Sequence, residues 1–207
     1  MKKSIALILI LALAFSLCLV NTASAGTSTE SGSSSYSGSG SLQQRINELP
    51  PFKFEIHKEG IGYGSCPVYT APDLSAYRCA NGKATCQTNA KMDDAGYVSG
   101  WLLVRYETNK GQYRVGYIPP RYVRGYTSRM YPHFGFIQVT ADDQIMVTDN
   151  PMSHTGGFAR LDPGETFYIL SRYNYYAKNG FDWLYIQCTV DGQVACGFIE
   201  NDLSKFH

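Results

Sequence analysis

An all-β fold, built from the same small unit twice over, is what this chain of 207 residues predicts, and three observations carry it. The order Gly100-Trp101-Leu102-Leu103-Val104, followed by Val115-Gly116-Tyr117-Ile118, returns as Asp182-Trp183-Leu184-Tyr185-Ile186 followed by Cys196-Gly197-Phe198-Ile199. Apolar and polar residues alternate with period two through windows rich in aromatic and β-branched side chains, and no window sustains a helical period. Gly and Asn-Gly steps punctuate these windows. A repeated hydrophobic order implies that each copy builds its own core, and so a tandem array of small β-barrels.

From the start of the chain, Lys2 and Lys3 precede an apolar run from Ile5 to Val20, and Ala23-Ser24-Ala25 supplies small residues for cleavage. Residues 1–25 are expected to be a secretory signal peptide, because the run falls short of the ~20 residues that span a bilayer. No membrane span is expected after its removal. Residues 26–49 read as a flexible, disordered Gly/Ser-rich linker, too poor in apolar groups to offset the entropy of ordering. Within it, Leu42 to Leu49 has room for a turn or two of helix before Pro50-Pro51 stops it.

The first unit covers residues 50–124, with strands expected near 53–57, 67–70, 91–95, 101–107 and 113–118. Pro119-Pro120 then predicts a 3₁₀ turn, since Pro cannot continue a ladder. A connector follows over 125–133, and the second unit covers 134–207, with strands near 136–140, 145–148, 166–171, 183–190 and 194–199. Along the repeated hairpin Leu102, Val104 and Tyr106 point one way and Trp101, Leu103 and Arg105 the other. Leu102, Val104, Val115, Leu184, Ile186 and Ile199 are the expected core, and Gly116 permits a sharp bend.

Pro67-Val68-Tyr69-Thr70-Ala71-Pro72, Ala80-Asn81-Gly82, Gly100-Trp101-Leu102-Leu103-Val104 and Arg114-Val115-Gly116-Tyr117-Ile118-Pro119 together resemble the bacterial Src-homology-3-like (SH3b-type) domains of secreted proteins. The second unit is similar through Val147 to Pro151, Leu161-Asp162-Pro163-Gly164-Glu165 and Asp182 to Ile186. It departs by lacking the Gly before Trp183 and by a long aromatic loop over Asn174 to Phe181. The resemblance implies two tandem SH3-like barrels and non-catalytic binding of cell-wall peptide or glycan.

Removing residues 1–25 takes away two lysines and no acid, so the net charge moves from +1 to −1 and names no partner. Its distribution says more. Lys110, Arg114, Arg121, Arg124 and Arg129 lie in a stretch without acids, whereas 142–207 is acidic; the stretch reads first as solvated surface, and alternatively as a cationic strip facing an anionic polymer or the acidic module of a neighbouring molecule. Nothing points to nucleic acid.

Five cysteines follow the signal, in a compartment that permits disulfides. A three-residue loop at Asp191 to Gln193 would set Cys188 opposite Cys196 and predicts a cross-strand disulfide there. Cys66, Cys79 and Cys86 allow three pairings, among which the sequence does not choose.

No Cys-x-x-Cys or paired-His spacing marks a metal site, and no cofactor motif appears. His57, His133, His154 and His207 are scattered, and no Cys–His pair suited to nucleophilic catalysis is visible. Neighbouring Asp93-Asp94 and Asp142-Asp143 point to opposite faces if they lie on strands. No catalytic residue is expected.

What remains is a surplus of rings, 16 Tyr, 10 Phe and 2 Trp, more than two small cores hide. Tyr69, Tyr77, Trp101 and Tyr122 in the first unit, and Tyr173, Tyr175, Tyr176, Phe181 and Trp183 in the second, are the candidate ligand-binding residues. The expectation is an extracellular or wall-associated protein that binds cell-wall peptide or glycan, the alternative being an extracellular protein–protein or self-association module.

Overall fold

Two four-stranded antiparallel sheets, one from each repeat, pack on either side of a layer of aromatic rings. The computed structural model describes residues 40–56, 60–108, 112–152, 156–174 and 182–207. The expected signal peptide and most of the linker lie outside them. Among the described residues no helix is long and apolar enough to cross a membrane.

The first repeat contributes β1 (Glu55–Ile56), β2 (Ser65–Pro67), β3 (Thr85–Gln87), β4 (Asp93–Val98), β5 (Trp101–Glu107) and β6 (Tyr113–Ile118). The second contributes β7 (Ile137–Thr140), β8 (Ile145–Val147), β9 (Ala159–Leu161), β10 (Thr166–Asn174), β11 (Asp182–Val190) and β12 (Gln193–Glu200). The fold is all-β. Strand order is β1-β4-β5-β6 in one sheet and, read from its other edge, β7-β10-β11-β12 in the other; β2-β3 and β8-β9 form a small hairpin in each repeat. Strands β3 and β9 lie where no alternation is long enough to predict them.

The two copies agree in detail. Each has a bulge at the same place, Ala95 opposite the step Leu103–Val104 and Leu170 opposite Tyr185–Ile186. Each hairpin strand bridges back to the last strand, Tyr69 to Tyr117 and Thr148 to Phe198. That approach explains the repeated glycine. A Cβ at Gly116 would sit 2.4 Å from Val68 Cγ1, and one at Gly197 2.7 Å from Val147 Cγ1, so the bare backbone admits the crossing strand.

Each repeat has a core on one face of its sheet, with Leu102, Val104 and Ile118 in the first and Leu184, Ile186 and Ile199 in the second, all fully buried. The opposite faces are buried too. Leu103, Val115 and Tyr117 meet Tyr173, Trp183, Tyr185 and Phe198 around Phe52, with the Tyr185 and Phe198 rings 4.9 Å apart. The alternation is therefore not apolar against polar but core against core, and residues 33–207 form one compact unit.

At the centre of this layer the Tyr185 hydroxyl donates to the Tyr117 hydroxyl at 3.1 Å. Burial keeps both phenols well above their ordinary pKa, and so neutral. Beside them Arg105 pairs with Asp93 and stacks over the Phe54 ring, 5.4 Å from its centroid.

The segment expected to close the linker is ordered. Helix α1 (Leu42–Glu48) starts at a capping box in which Ser41 and Gln44 satisfy each other's backbone N–H groups, and it stops before Pro50-Pro51. Ile46 and Leu49 are fully buried in the core of the second repeat, not the first. Ser171 Oγ donates to Pro50 O at 2.6 Å and Phe52 N to Arg172 O at 3.3 Å. The connector, in turn, lies on the first repeat, where Tyr97 N donates to Met130 O at 3.1 Å and Tyr126 Oη to Asp94 Oδ1 at 2.8 Å. Residues 41–49, expected as part of the linker, are thus held in place, because two aliphatic side chains find a core that lies far along the chain.

The expected Cys188–Cys196 disulfide is overturned by register. The turn is Asp191-Gly192, two residues with φ of 50° and 76°, as a type I′ hairpin requires. Cys188 therefore faces Ala195 while Cys196 faces Gln187. One residue of slip puts the thiols on opposite faces of the sheet, Cys188 in the second repeat's core and Cys196 in the shared layer.

Leu49→Ala is expected to destabilise the protein by about 2–5 kcal/mol in chemical denaturation. Because Trp101 belongs to the first repeat and Trp183 to the second, single-tryptophan variants should each lose fluorescence and far-UV dichroism in a single coincident transition. A separate transition for either repeat would refute the shared core.

Candidate functional site

Among the described residues, the aromatic side chains expected to form a groove do not gather in one. Tyr173 and Trp183 are only 3% and 4% exposed and are committed to the shared layer. The edge of Trp183 reaches a recess of about 100 Å³, below the ~300 Å³ at which ligand pockets begin. Tyr69 is buried edge-on against Trp101 at 5.3 Å, with the Arg78 guanidinium over its ring. Tyr122 is half-buried under Arg121 in a shallow cationic hollow with Tyr63 and Arg124. Tyr175, Tyr176 and Phe181 lie outside the described residues, as do His57 and His154.

Tyr77 is the exception. Its ring stacks on Phe158 of the second repeat at 5.6 Å and 22°, and the pair forms one wall of a cleft of about 550 Å³ between the repeats. Both chain segments are fixed across the boundary. Tyr77 N donates to Val194 O at 2.9 Å and Val115 N to Asp149 O at 2.8 Å.

The facing wall is the loop from Cys79 to Ala84. Ala80 and Asn81 hold φ of 54° and 53°, a left-handed conformation disfavoured for Ala, and Gly82 continues it at 77°. Arg78 pins the loop by donating from Nη2 to Ala84 O at 2.7 Å and from Nε to Val68 O at 3.3 Å. This loop also carries Lys83 to the rim.

The floor is charged. Arg114 Nη1 lies 3.2 Å from Asp149 Oδ1, the carboxylate nearly buried and the guanidinium half-exposed to the cleft. Burial raises the pKa of Asp149, and Arg114 and a hydrogen bond from the Cys79 thiol oppose this in part. Burial and the Asp149 charge push the Cys79 thiol up, and burial likewise pushes up the neighbouring Tyr106 hydroxyl. With Asp149 occupied by Arg114 and Cys79, the cleft offers donors and positive charge from Arg114 and Lys83 beside stacked rings.

The arrangement suits binding. Cys188 and Cys196 are pushed up to about 12 by burial, far from the thiolate a nucleophile needs. Asp93 and Asp94 are separate, one on Arg105 and the other on Tyr126. Asp142 holds His207 Nδ1 at 2.7 Å on the surface. Among the described residues no three His, Cys, Asp or Glu side chains converge on a point where a cation would sit.

Arg114, Asp149, Cys79 and Phe158 are cleft residues that the candidate set misses. Only the acid-free stretch containing Arg114 hinted at any of them. Searches against protein families, curated proteins and solved structures give no match.

Because folding raises the Asp149 pKa above its ordinary 3.8, the native state binds that proton more tightly than the unfolded chain. Its contribution to stability is greatest below that value and falls as pH rises toward the folded pKa. Asp149→Asn should flatten this decline in pH-dependent urea titrations. Ala80→Gly should raise stability by about 0.5–1 kcal/mol in the same assay, by relieving a left-handed Ala.

Proposed function

We propose that the protein is a secreted, non-catalytic binding protein that holds cell-wall peptide or glycan in the cleft between its two repeats. Each repeat is read as an SH3-like module, and the identical strand order and bulge position of the two copies support that reading. The observation that carries the function is the cleft itself, with the Tyr77–Phe158 stack on one side and Arg114 on its floor. Stacked rings provide a face for a sugar or an extended peptide, and Arg114 with Lys83 provides donors for a carboxylate on that ligand. The site is composite. It needs both repeats, so duplication here builds one site where two were expected.

A second reading, an extracellular protein partner or self-association without a wall ligand, is favoured by the hollow where Tyr63, 75% exposed, lies beside Arg121, Tyr122 and Arg124. Charge-driven association through it would fade with salt in size-exclusion chromatography.

Pull-down of residues 26–207 on insoluble peptidoglycan tests the first reading. Retention is expected, with Arg114→Gln and Tyr77→Ala each weakening it by roughly tenfold, the loss of a charged hydrogen bond or a stacking face. Absence of retention, or full retention by both variants, would remove it.

A further inference from the structure

We infer that Cys66 and Cys86 are joined by a disulfide in the mature protein. The two residues are direct antiparallel partners on β2 and β3, and their Sγ atoms lie 3.3 Å apart. Directly opposed antiparallel residues have Cα atoms about 4.5–5.5 Å apart, inside the range that a disulfide spans. The register is held on both sides, by Val68 N donating to Ala84 O at 3.0 Å and Thr88 N to Gly64 O at 2.9 Å. Bond formation needs a small approach of two sulfurs and no movement of the strands.

The other copy of the repeat sharpens the point. There the same hairpin position holds Ile145 opposite Leu161, both inward-facing and buried. This is an apolar core pair. In the first repeat the two thiols are equally inward, 1% and 6% exposed, and a cystine meets the same demand for apolar volume. The remaining thiols have other surroundings: Cys79 bonds to Asp149 in the cleft, and Cys188 and Cys196 stand on opposite faces of their sheet.

The step is thiol–disulfide exchange with a disulfide-bearing oxidant, a small-molecule disulfide or an oxidoreductase. Cys66 thiolate attacks one oxidant sulfur and expels the other as a thiolate; Cys86 thiolate then attacks Cys66 Sγ and expels the second. One S–S bond breaks, one forms, and the oxidant leaves as two thiols. Because both sulfurs are buried, exchange belongs to the stage before β2 and β3 close into the core. The product staples the base of the Cys79–Ala84 loop, so it also stiffens one wall of the cleft, although the cross-link stands whether or not the cleft binds wall polymer.

Thiol alkylation of denatured, unreduced protein from an oxidising compartment tests this directly, followed by peptide mapping. Three of the five cysteines should label, with Cys66 and Cys86 recovered as a linked peptide. Labelling of all five, or linkage through Cys79, would overturn it. Reductant should lower the melting temperature by roughly 5–15 °C in the natural sequence and leave a Cys66→Ala/Cys86→Ala variant unchanged. The mapping needs no variant to fold.

Discussion

The contact on which the molecule depends is the layer of rings between its two sheets. Phe52, Tyr117, Tyr173, Tyr185 and Phe198 are buried together there, and the Tyr185 hydroxyl donates to that of Tyr117 out of reach of water. A sheet that buries one face leaves the other to solvent, and here that second face is the partner repeat. The first-repeat residues Leu103 and Tyr117 and their second-repeat counterparts Tyr185 and Phe198 meet across the layer. Duplication thus supplies a surface that is already complementary to itself, as in a twofold dimer held on one chain.

The cleft is a consequence of that packing. Once the sheets are fixed, Tyr77 must lie beside β12 and Asp149 beside β6, because backbone hydrogen bonds tie them there. Arg114, on the first repeat, then finds its counter-charge on the second. The nearly buried carboxylate of Asp149 thereby holds the guanidinium of Arg114 at the floor of the open volume. The strained turn at Ala80 and Asn81 shapes the opposite rim, and strain of this kind persists only where surrounding contacts enforce it.

Much of this was legible in the amino-acid order and the rest was not, for identifiable reasons. Leu102, Val104, Leu184, Ile186 and Ile199 declared themselves as core because alternation places them on one face. Their neighbours Leu103 and Tyr185 are apolar as well, and a continuous run such as Trp101 to Val104 is the mark of a strand covered on both sides. That signal accounts for Tyr173 and Trp183, whose rings fill the shared layer. The Cys188–Cys196 pairing failed on the length of one turn, since period two converts a single-residue slip into a change of face. Arg114, Asp149 and Phe158 carry no local pattern; they converge through tertiary packing alone. The ordering of Ile46 and Leu49 was hidden for the same reason.

Helix α1 has a meaning for how the molecule comes into being. Its apolar side chains have no home until β10 and its neighbours exist, more than a hundred residues downstream, so the early chain carries exposed Ile46 and Leu49 for as long as the rest is still being made. Contacts this distant slow folding. The first half therefore emerges as an unfinished surface, and the ribosome must deliver almost the last strand before the opening segment can settle.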